Sequence, residues 1–490
     1  MTLLQNAVLI DGSGAEPHAR DLWIDGERIV EGGRAGAAQT IDCTGLVITP
    51  GFIDLHSHSD LQVLEPAKRE KVKQGVVMEV VGNCGFSPFP HSGETAELHS
   101  FGAGILGRTD GWGWRTANAY LDAVASQATI GVESLAGHGS LRVAVAGSRQ
   151  GPLSRVDLDR LCGLLEDSLD AGCAGFSTGL MYAPGGSAPH DELARLCEVV
   201  ARKGKLYATH MRSYSSGLIE AVREQLDLAR TTGCRLQISH LQAAGRANWP
   251  LQQRALDEIE AGRLSGIDVE FDIYPYQCGS TVLTQWLPQW ALDGGTDGLI
   301  ARLKDSSTRA KIREEMERSP QNAWSDITIS GVSTDANAGL VGQTLTDANQ
   351  ALDLLIEENA AVNVVSFNQS EDNLRQLLTH PLCSIISDGF YVRKGKPHPR
   401  LHGTFPELLG NLVRDRKWMP LREAVHKITA KPAARLGKTI DLAAGSMADL
   451  TIFDPSAIAS RATYDSPQQD PLGIRYVMRK GKIIHEGLPT

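Results

Sequence analysis

Two textures of apolar patterning alternate along the chain. At both ends, short β-prone runs are broken by turns: LLQNAVLI, DGSG, DLWIDGERIV and QTIDCTGLVITP within residues 1–50, then GSMADLTIFDP and YVMRKGKIIHEG within 440–490. The last run reads as a hairpin about RKGK. The two ends together predict one small β-domain, formed where the termini meet. Between them lie eight near-continuous apolar segments: ITPGFIDLHSH, GVVMEVVGN, TIGVESLAGH, CAGFSTGLMY, KLYATHMR, RLQISHLQ, DVEFDIYPY and CSIISDG. Most are followed by amphipathic helical stretches such as DLDRLCGLLEDSLDAG and SGLIEAVREQLDLARTTG. Strands apolar on both faces and alternating with helices pair in parallel, with both faces covered. Eight such units predict a (β/α)8 barrel with insertions.

Residues 286–345 interrupt the alternation. They are charged, helix-prone and turn-rich (DGGTDG, KDSSTRAKIREEMERSPQN, STDANAG). This stretch reads as a subdomain inserted between strands seven and eight, either a lid over the barrel mouth or a surface excursion. Trp286, Trp290, Leu283 and Leu287 read as its core; reaching the pocket instead, they favour an apolar side chain or acyl group on the substrate. The fold class is therefore α/β, a TIM-type barrel with a small β-sandwich-like domain built from both termini and an inserted subdomain. The expected division is residues 1–50 and 433–490 for the small domain and 51–432 for the barrel.

A chain of 490 residues can hold one large domain and a smaller one. Its net charge of −10 lacks the basic footprint of a nucleic-acid or anionic-membrane binder. The eight cysteines are scattered, with no CxxC pair, and read as reduced thiols in a reducing compartment. MTLLQNAVLIDGSG has no basic leader followed by a long apolar run, and no window reaches 18 continuous apolar residues, so neither a signal peptide nor a membrane helix is expected. The expected setting is cytoplasmic, and the expected partner is a small-molecule substrate. Nothing in the pattern specifies the oligomeric state.

Candidate chemistry changes the picture at the strand ends. His56 and His58 end strand one, Cys84 follows strand two, His210 ends strand five, His240 ends strand six and Asp388 ends strand eight. The carboxyl ends of barrel strands share one face, where barrel active sites form. Imidazoles, a thiolate and a carboxylate are zinc ligands. His56 and His58 are two residues apart, so on a regular strand they share a face and can grip one ion. Singly, each residue has a structural reading: a hydrogen-bonded histidine, a packed thiol, an aspartate opening a turn. Together, six ligand-type residues at predicted barrel-strand ends point to a metal site.

The ordered set HSH after GFIDL, GNCG, GHGSLR, GFSTGLMYAPG, THMR, SH, FDIYPYxxGST and SDG resembles the amidohydrolase superfamily, and within it the N-acyl-D-amino-acid deacylases. The resemblance covers nearly the whole chain, including KPAARLGKTIDLAAGSMADLTIFDP. It implies zinc-dependent hydrolysis of the amide of N-acyl-D-amino acids. It implies that Cys84, His210 and His240 hold a tight zinc, with His56, His58 and Asp388 forming a second position, weak or empty. Asp388 is then also the general base, passing its proton to the leaving amine. Tyr182, Tyr274, Ser280 and Arg400 are implied in substrate binding, with Arg400 as a carboxylate clamp. His138, in LAGHGSLR, is placed either in the pocket or in packing at the barrel mouth.

The chain departs from that family at SHLQ, where Gln242 replaces a lysine common in SHHK. THMRSYS likewise lacks an acidic residue that often follows the arginine. Carboxylate recognition then rests on Arg400, Arg246 or Lys394, or the substrate lacks that carboxylate. Two alternatives keep the metal: hydrolysis of a cyclic amide, as in hydantoinases and dihydroorotases, or deamination. A third, a non-catalytic scaffold, predicts lost ligands, and all six are present.

Overall fold

The computed structural model describes residues 1–32, 38–91, 93, 95–107, 111–318 and 321–488. Residues 33–37 of the N-terminal β-rich run and 319–320 of the inserted stretch lie outside the described residues.

Eight strands form the barrel: β1 (Phe52–Asp54), β2 (Val76–Val81), β3 (Gly131–Gly137), β4 (Gly175–Gly179), β5 (Leu206–His210), β6 (Arg235–Ile238), β7 (Val269–Ile273) and β8 (Cys383–Ile385). Each pairs in parallel with its neighbours in chain order. A parallel bridge between Ser57 and Gly389 closes β1 onto β8, so the eight predicted apolar segments are the eight barrel strands. The connecting helices show ordinary end signals. Arg155–Asp170 starts at Ser154, whose side chain accepts from the Asp157 amide; Leu218–Thr232 stops at Gly233, left-handed at φ 75°. Both satisfy backbone groups that a helix end leaves open.

The termini meet in two packed sheets. One has the order Arg28–Val30, Leu22–Asp25, Thr2–Gln5, Gln39–Asp42. The other runs from Lys482–Glu486 through Ile474–Arg479, Leu450–Phe453 and Val47–Pro50 to Val8–Leu9 and His18–Ala19. Leu4, Leu22, Ile24, Ile48, Leu450 and Ile452 share the core between them. The RKGK hairpin forms with Lys480 and Gly481 at φ 50° and 73°, the double left-handed geometry of a tight hairpin turn.

Between β7 and β8 stands a unit with its own core, including Leu283, Leu287, Ile312, Ile329, Leu355 and Val364. The stretch 286–345 lies inside it. Its antiparallel sheet joins Cys278–Val282, Asn363–Phe367 and Ile327–Val332, with Lys394–Gly395 added after β8. The strands that flank the charged middle, CGSTV and NVVSF, pair with each other only in the folded chain, and their local pattern does not mark them as part of this unit. No helix among the described residues is long and apolar enough to cross a membrane.

Candidate metal centre

β1 ends at Asp54, and the chain continues extended across the barrel mouth. His56 and His58 therefore lie just beyond the strand rather than within it. The Ser57 amide donates to Val80 O (3.0 Å) and the His58 amide to Gly389 O (3.0 Å). Alternation holds: Ser57 turns outward to Glu79 (2.8 Å), while the two imidazoles face inward with ring centroids 5.3 Å apart. Asp54 anchors this corner, accepting from the Ser387 amide at 2.9 Å, from Ser387 Oγ at 2.6 Å and from Lys71 Nζ at 2.5 Å.

His210 closes β5, whereas Cys84, His240 and Asp388 stand two or three residues past their strands with φ 52°, 34° and 48°. Left-handed backbone is costly for a residue with a Cβ, and such strain gathers at functional sites. Here the reversal ends each strand and turns its side chain into the barrel mouth. Gly179 makes room for the turn at Cys84, since a Cβ there would stand 2.0 Å from Cys84 O.

The six residues converge, all at most 6% exposed. One group able to hold a cation is Cys84, His210 and His240; the other is His56, His58, Cys84 and Asp388. Cys84 belongs to both. Cys84 Sγ lies 3.5 Å from His240 Nε2 and 3.3 Å from His56 Nε2, and His210 Nδ1 lies 3.1 Å from His240 Nε2. Bonds of about 2.0–2.1 Å to nitrogen and about 2.3 Å to sulfur give tetrahedral zinc edges of about 3.3 Å between nitrogens and about 3.6 Å between nitrogen and sulfur. The two edges that meet at His240 are close to those lengths, and the three ligand atoms of the group lie within 4.8 Å of one another.

The electrostatics fit a cation too. Burial lowers His210 far below the usual histidine range and His240 to about 4, leaving both neutral, with lone pairs free to ligate. Burial pushes the Cys84 thiol up to about 11 against the pull of His56. At His56 burial opposes protonation, but Cys84 and Asp388 outweigh it and raise the imidazole well above its usual range. A positive charge is thus favoured at His56, between Cys84 and Asp388.

Asp388 Oδ1 lies 3.2 Å from His58 Nε2 and 3.4 Å from His56 Nε2, and Oδ2 lies 2.9 Å from Arg400 Nη2. Burial would raise this carboxyl; Arg400 and the imidazoles overrule it and hold it well below the carboxylate range. Arg400 is 1% exposed. It sits just behind the pocket wall, its guanidinium 4.5 Å over the Tyr274 ring. Asp272, buried in β7, accepts from the His240 amide (2.7 Å) and faces His56 Nδ1 at 3.4 Å. Sequence reading passed over it. The signal was a second acid, after Glu270, inside the run VEFDI; it faces the His56 imidazole and fixes the backbone that carries His240.

Around the centre opens a pocket lined by Tyr182, Tyr274, Ser280 and Gln242. Tyr182 packs tilted against His210 with centroids 4.8 Å apart, and its hydroxyl meets Thr281 Oγ1 at 3.1 Å. The Ser280 hydroxyl donates to Val364 O (3.0 Å). Gln242 Oε1 accepts from the Tyr274 hydroxyl and from Asn368 Nδ2, both at 3.2 Å. Ser280, Asn322 and Asn368 place the inserted unit directly on the pocket wall.

Other candidates lie elsewhere. His138 is fully buried against Glu192 (2.8 Å), which also takes Arg142 (2.9 Å), and it packs behind the site. Arg246 pairs with Asp326 and stacks on Trp249; Lys394 pairs with Asp335. Neither lines the pocket. Leu283 and Leu287 are core of the inserted unit, Trp290 is 41% exposed, and Trp286 lines the pocket.

Known proteins are similar to this chain over nearly its whole length. Residues 39–485 match the amidohydrolase family. An N-acyl-D-glutamate deacylase of Alcaligenes xylosoxydans xylosoxydans is 33% identical over 99% of this chain and 94% of its own. A D-aminoacylase of the same organism is 32% identical over 98% of this chain and 94% of its own. The crystal structure of N-acyl-D-glutamate deacylase from Bordetella bronchiseptica, complexed with zinc and a phosphonate mimic of the tetrahedral intermediate, superposes with a TM-score of 0.84 at 31% identity, covering 100% of this chain and 97% of that one. With six inward-facing ligand-type residues on a matching barrel, the chain belongs to the amidohydrolase family, in the branch that holds the D-aminoacylases.

Proposed function

We infer that the protein is a zinc-dependent deacylase that hydrolyses the amide of N-acyl-D-amino acids, giving a carboxylate and a free D-amino acid. The observation that carries this is Cys84 at the junction of two ligand groups, with Asp388 held ionised beside them. Cys84, His210 and His240 would hold a tight zinc. His56, His58 and Asp388 would offer a second, weaker position.

Zinc bound there supplies Lewis-acid polarisation of the acyl carbonyl and of a water. Asp388 accepts the proton of the attacking water and hands it to the leaving nitrogen. Arg400, paired to Asp388 on one nitrogen, keeps that carboxylate charged. Its remaining donors suit a substrate carboxylate, while Tyr274 and Ser280, whose hydroxyl protons go to Gln242 and Val364, shape the wall beside it. Tyr182, against His210, flanks the reacting carbonyl.

Gln242 ends a relay in which Asn322 donates to Asn368 Oδ1 (3.4 Å) and Asn368 to Gln242. Its Oε1 is engaged, so the amide N–H₂ is free for the pocket. No lysine or arginine is among the described residues lining it. A neutral D-side chain suits that wall better than D-glutamate or D-aspartate.

The test is hydrolysis of a panel of N-acetyl-D- and N-acetyl-L-amino acids, following free amine and acetate, with ammonia release and dihydroorotate or hydantoin opening in parallel. Turnover of N-acetyl-D-amino acids with neutral side chains is expected. Ammonia release or ring opening without acetate defeats the reading.

A further inference from the structure

A second cavity, of about 500 Å³, adjoins the metal pocket and shares Ile105, Tyr182 and Gln285 with it. Much of its lining is apolar. Phe86 and Phe101 stack at 4.5 Å, and Phe86 meets Tyr182 edge-on at 5.0 Å. Met181, Leu292 and Leu299 continue the surface. Part of the lining is polar, with Glu358 hydrogen-bonded to Ser333, Thr334 and Asn337, and with Arg393 exposed.

The metal pocket is two-sided about the ligand cluster. Gln242, Asn368, Tyr274 and Ser280 make one side polar, with Arg400 behind that wall, and this side suits the amino-acid half of a substrate. Ile105 and Tyr182 form the other side, where the acyl half must run. A longer apolar chain aimed at these shared residues would continue into the larger cavity, which an acetyl group is too short to enter. A cavity of that volume is ample for an elongated ligand.

Resting on the deacylase reading, we propose that this cavity is an acyl-chain subsite and that the preferred substrates carry a medium-chain linear N-acyl group rather than acetyl. Each methylene moved from water into such a wall strengthens binding about fourfold, and part of that gain carries into kcat/KM.

The experiment compares N-acetyl, N-hexanoyl and N-decanoyl derivatives of one D-amino acid on the zinc-loaded enzyme. It adds Ala103→Trp, which narrows the cavity away from the metal, with thermal melting to confirm folding. The expected result is at least a tenfold rise in kcat/KM from acetyl to decanoyl, with the decanoyl-to-acetyl ratio cut at least fivefold in the variant. A flat or falling series, or a ratio unchanged in A103W, overturns the proposal. Should none of the three amides be cleaved, the deacylase reading fails by itself. Calorimetry with decanoate then decides the subsite: binding weakened by A103W upholds it, and absence of binding ends it.

Discussion

Arg400 Nη2 lies 2.9 Å from Asp388 Oδ2, while Nε and Nη1 of the same buried guanidinium have no hydrogen-bond partner among the described residues. Unpaired buried donors on a charged group are expensive. A group that fixes the carboxylate with one nitrogen and leaves two donors unspent is poised for an anionic ligand.

Arg400→Met should therefore lower kcat/KM at least a hundredfold for N-acyl-D-amino acids, since truncating one partner of a buried charge pair costs about 2–5 kcal/mol. Against an N-acyl amine lacking the carboxylate, the same variant should lose less than tenfold. Equal losses on both would assign Arg400 to Asp388 alone.

Asp388→Asn keeps the shape and removes the proposed base. Its kcat should fall by about 10²–10⁴-fold, while metal analysis shows zinc retained on Cys84, His210 and His240. Near-normal kcat in that variant would move the base to another residue.

Metal removal tests the donor set. Dialysis against a strong chelator should abolish activity and lower Tm, because a cation that binds only the folded state stabilises it by mass action. Zinc should restore both. Cys84→Ala should not retain stoichiometric zinc, whereas Asp272→Asn, one shell out, should lose about 10–100-fold in affinity while staying folded.

Gln242→Lys places a cation on the neutral wall formed by Asn322 and Asn368. The ratio of kcat/KM for N-acetyl-D-glutamate over N-acetyl-D-glutamine should rise at least tenfold. A wild-type enzyme that already prefers the acidic substrate would contradict the neutral-wall reading.

Glu358 carries an acid-stability prediction. Burial raises its carboxyl, but donors from Ser333, Thr334 and Asn337 prevail and bring it to about 2 from the ordinary 4.5. A depressed acid stabilises the fold above its unfolded pKa, and the benefit is lost as pH falls through the folded one. The window is thus roughly pH 5 down to 2, worth on the order of 3 kcal/mol. Glu358→Gln should flatten the fall of Tm across that window, measured by calorimetry against wild type.

The chain's pattern alone determined the barrel. Near-continuous apolar segments alternating with amphipathic helices leave parallel pairing as the way to bury both faces of each strand. The same pattern put His56, His58, Cys84, His210, His240 and Asp388 at strand ends, because barrel-strand ends share a face whatever the loops do. Ligand-type residues there are legible by position.

What the tertiary structure decided is everything that depends on direction across the barrel. Cys84, His240 and Asp388 aim inward only through left-handed backbone, which local propensity disfavours. Asp272, Asn322 and Asn368 reach the site from elements that are remote in sequence, and the sheet of the inserted unit exists only by pairing Cys278–Val282 with Asn363–Phe367. Burial patterns are written along the chain by short-range periodicity. Convergence of side chains is set by packing between distant segments, which periodicity does not encode.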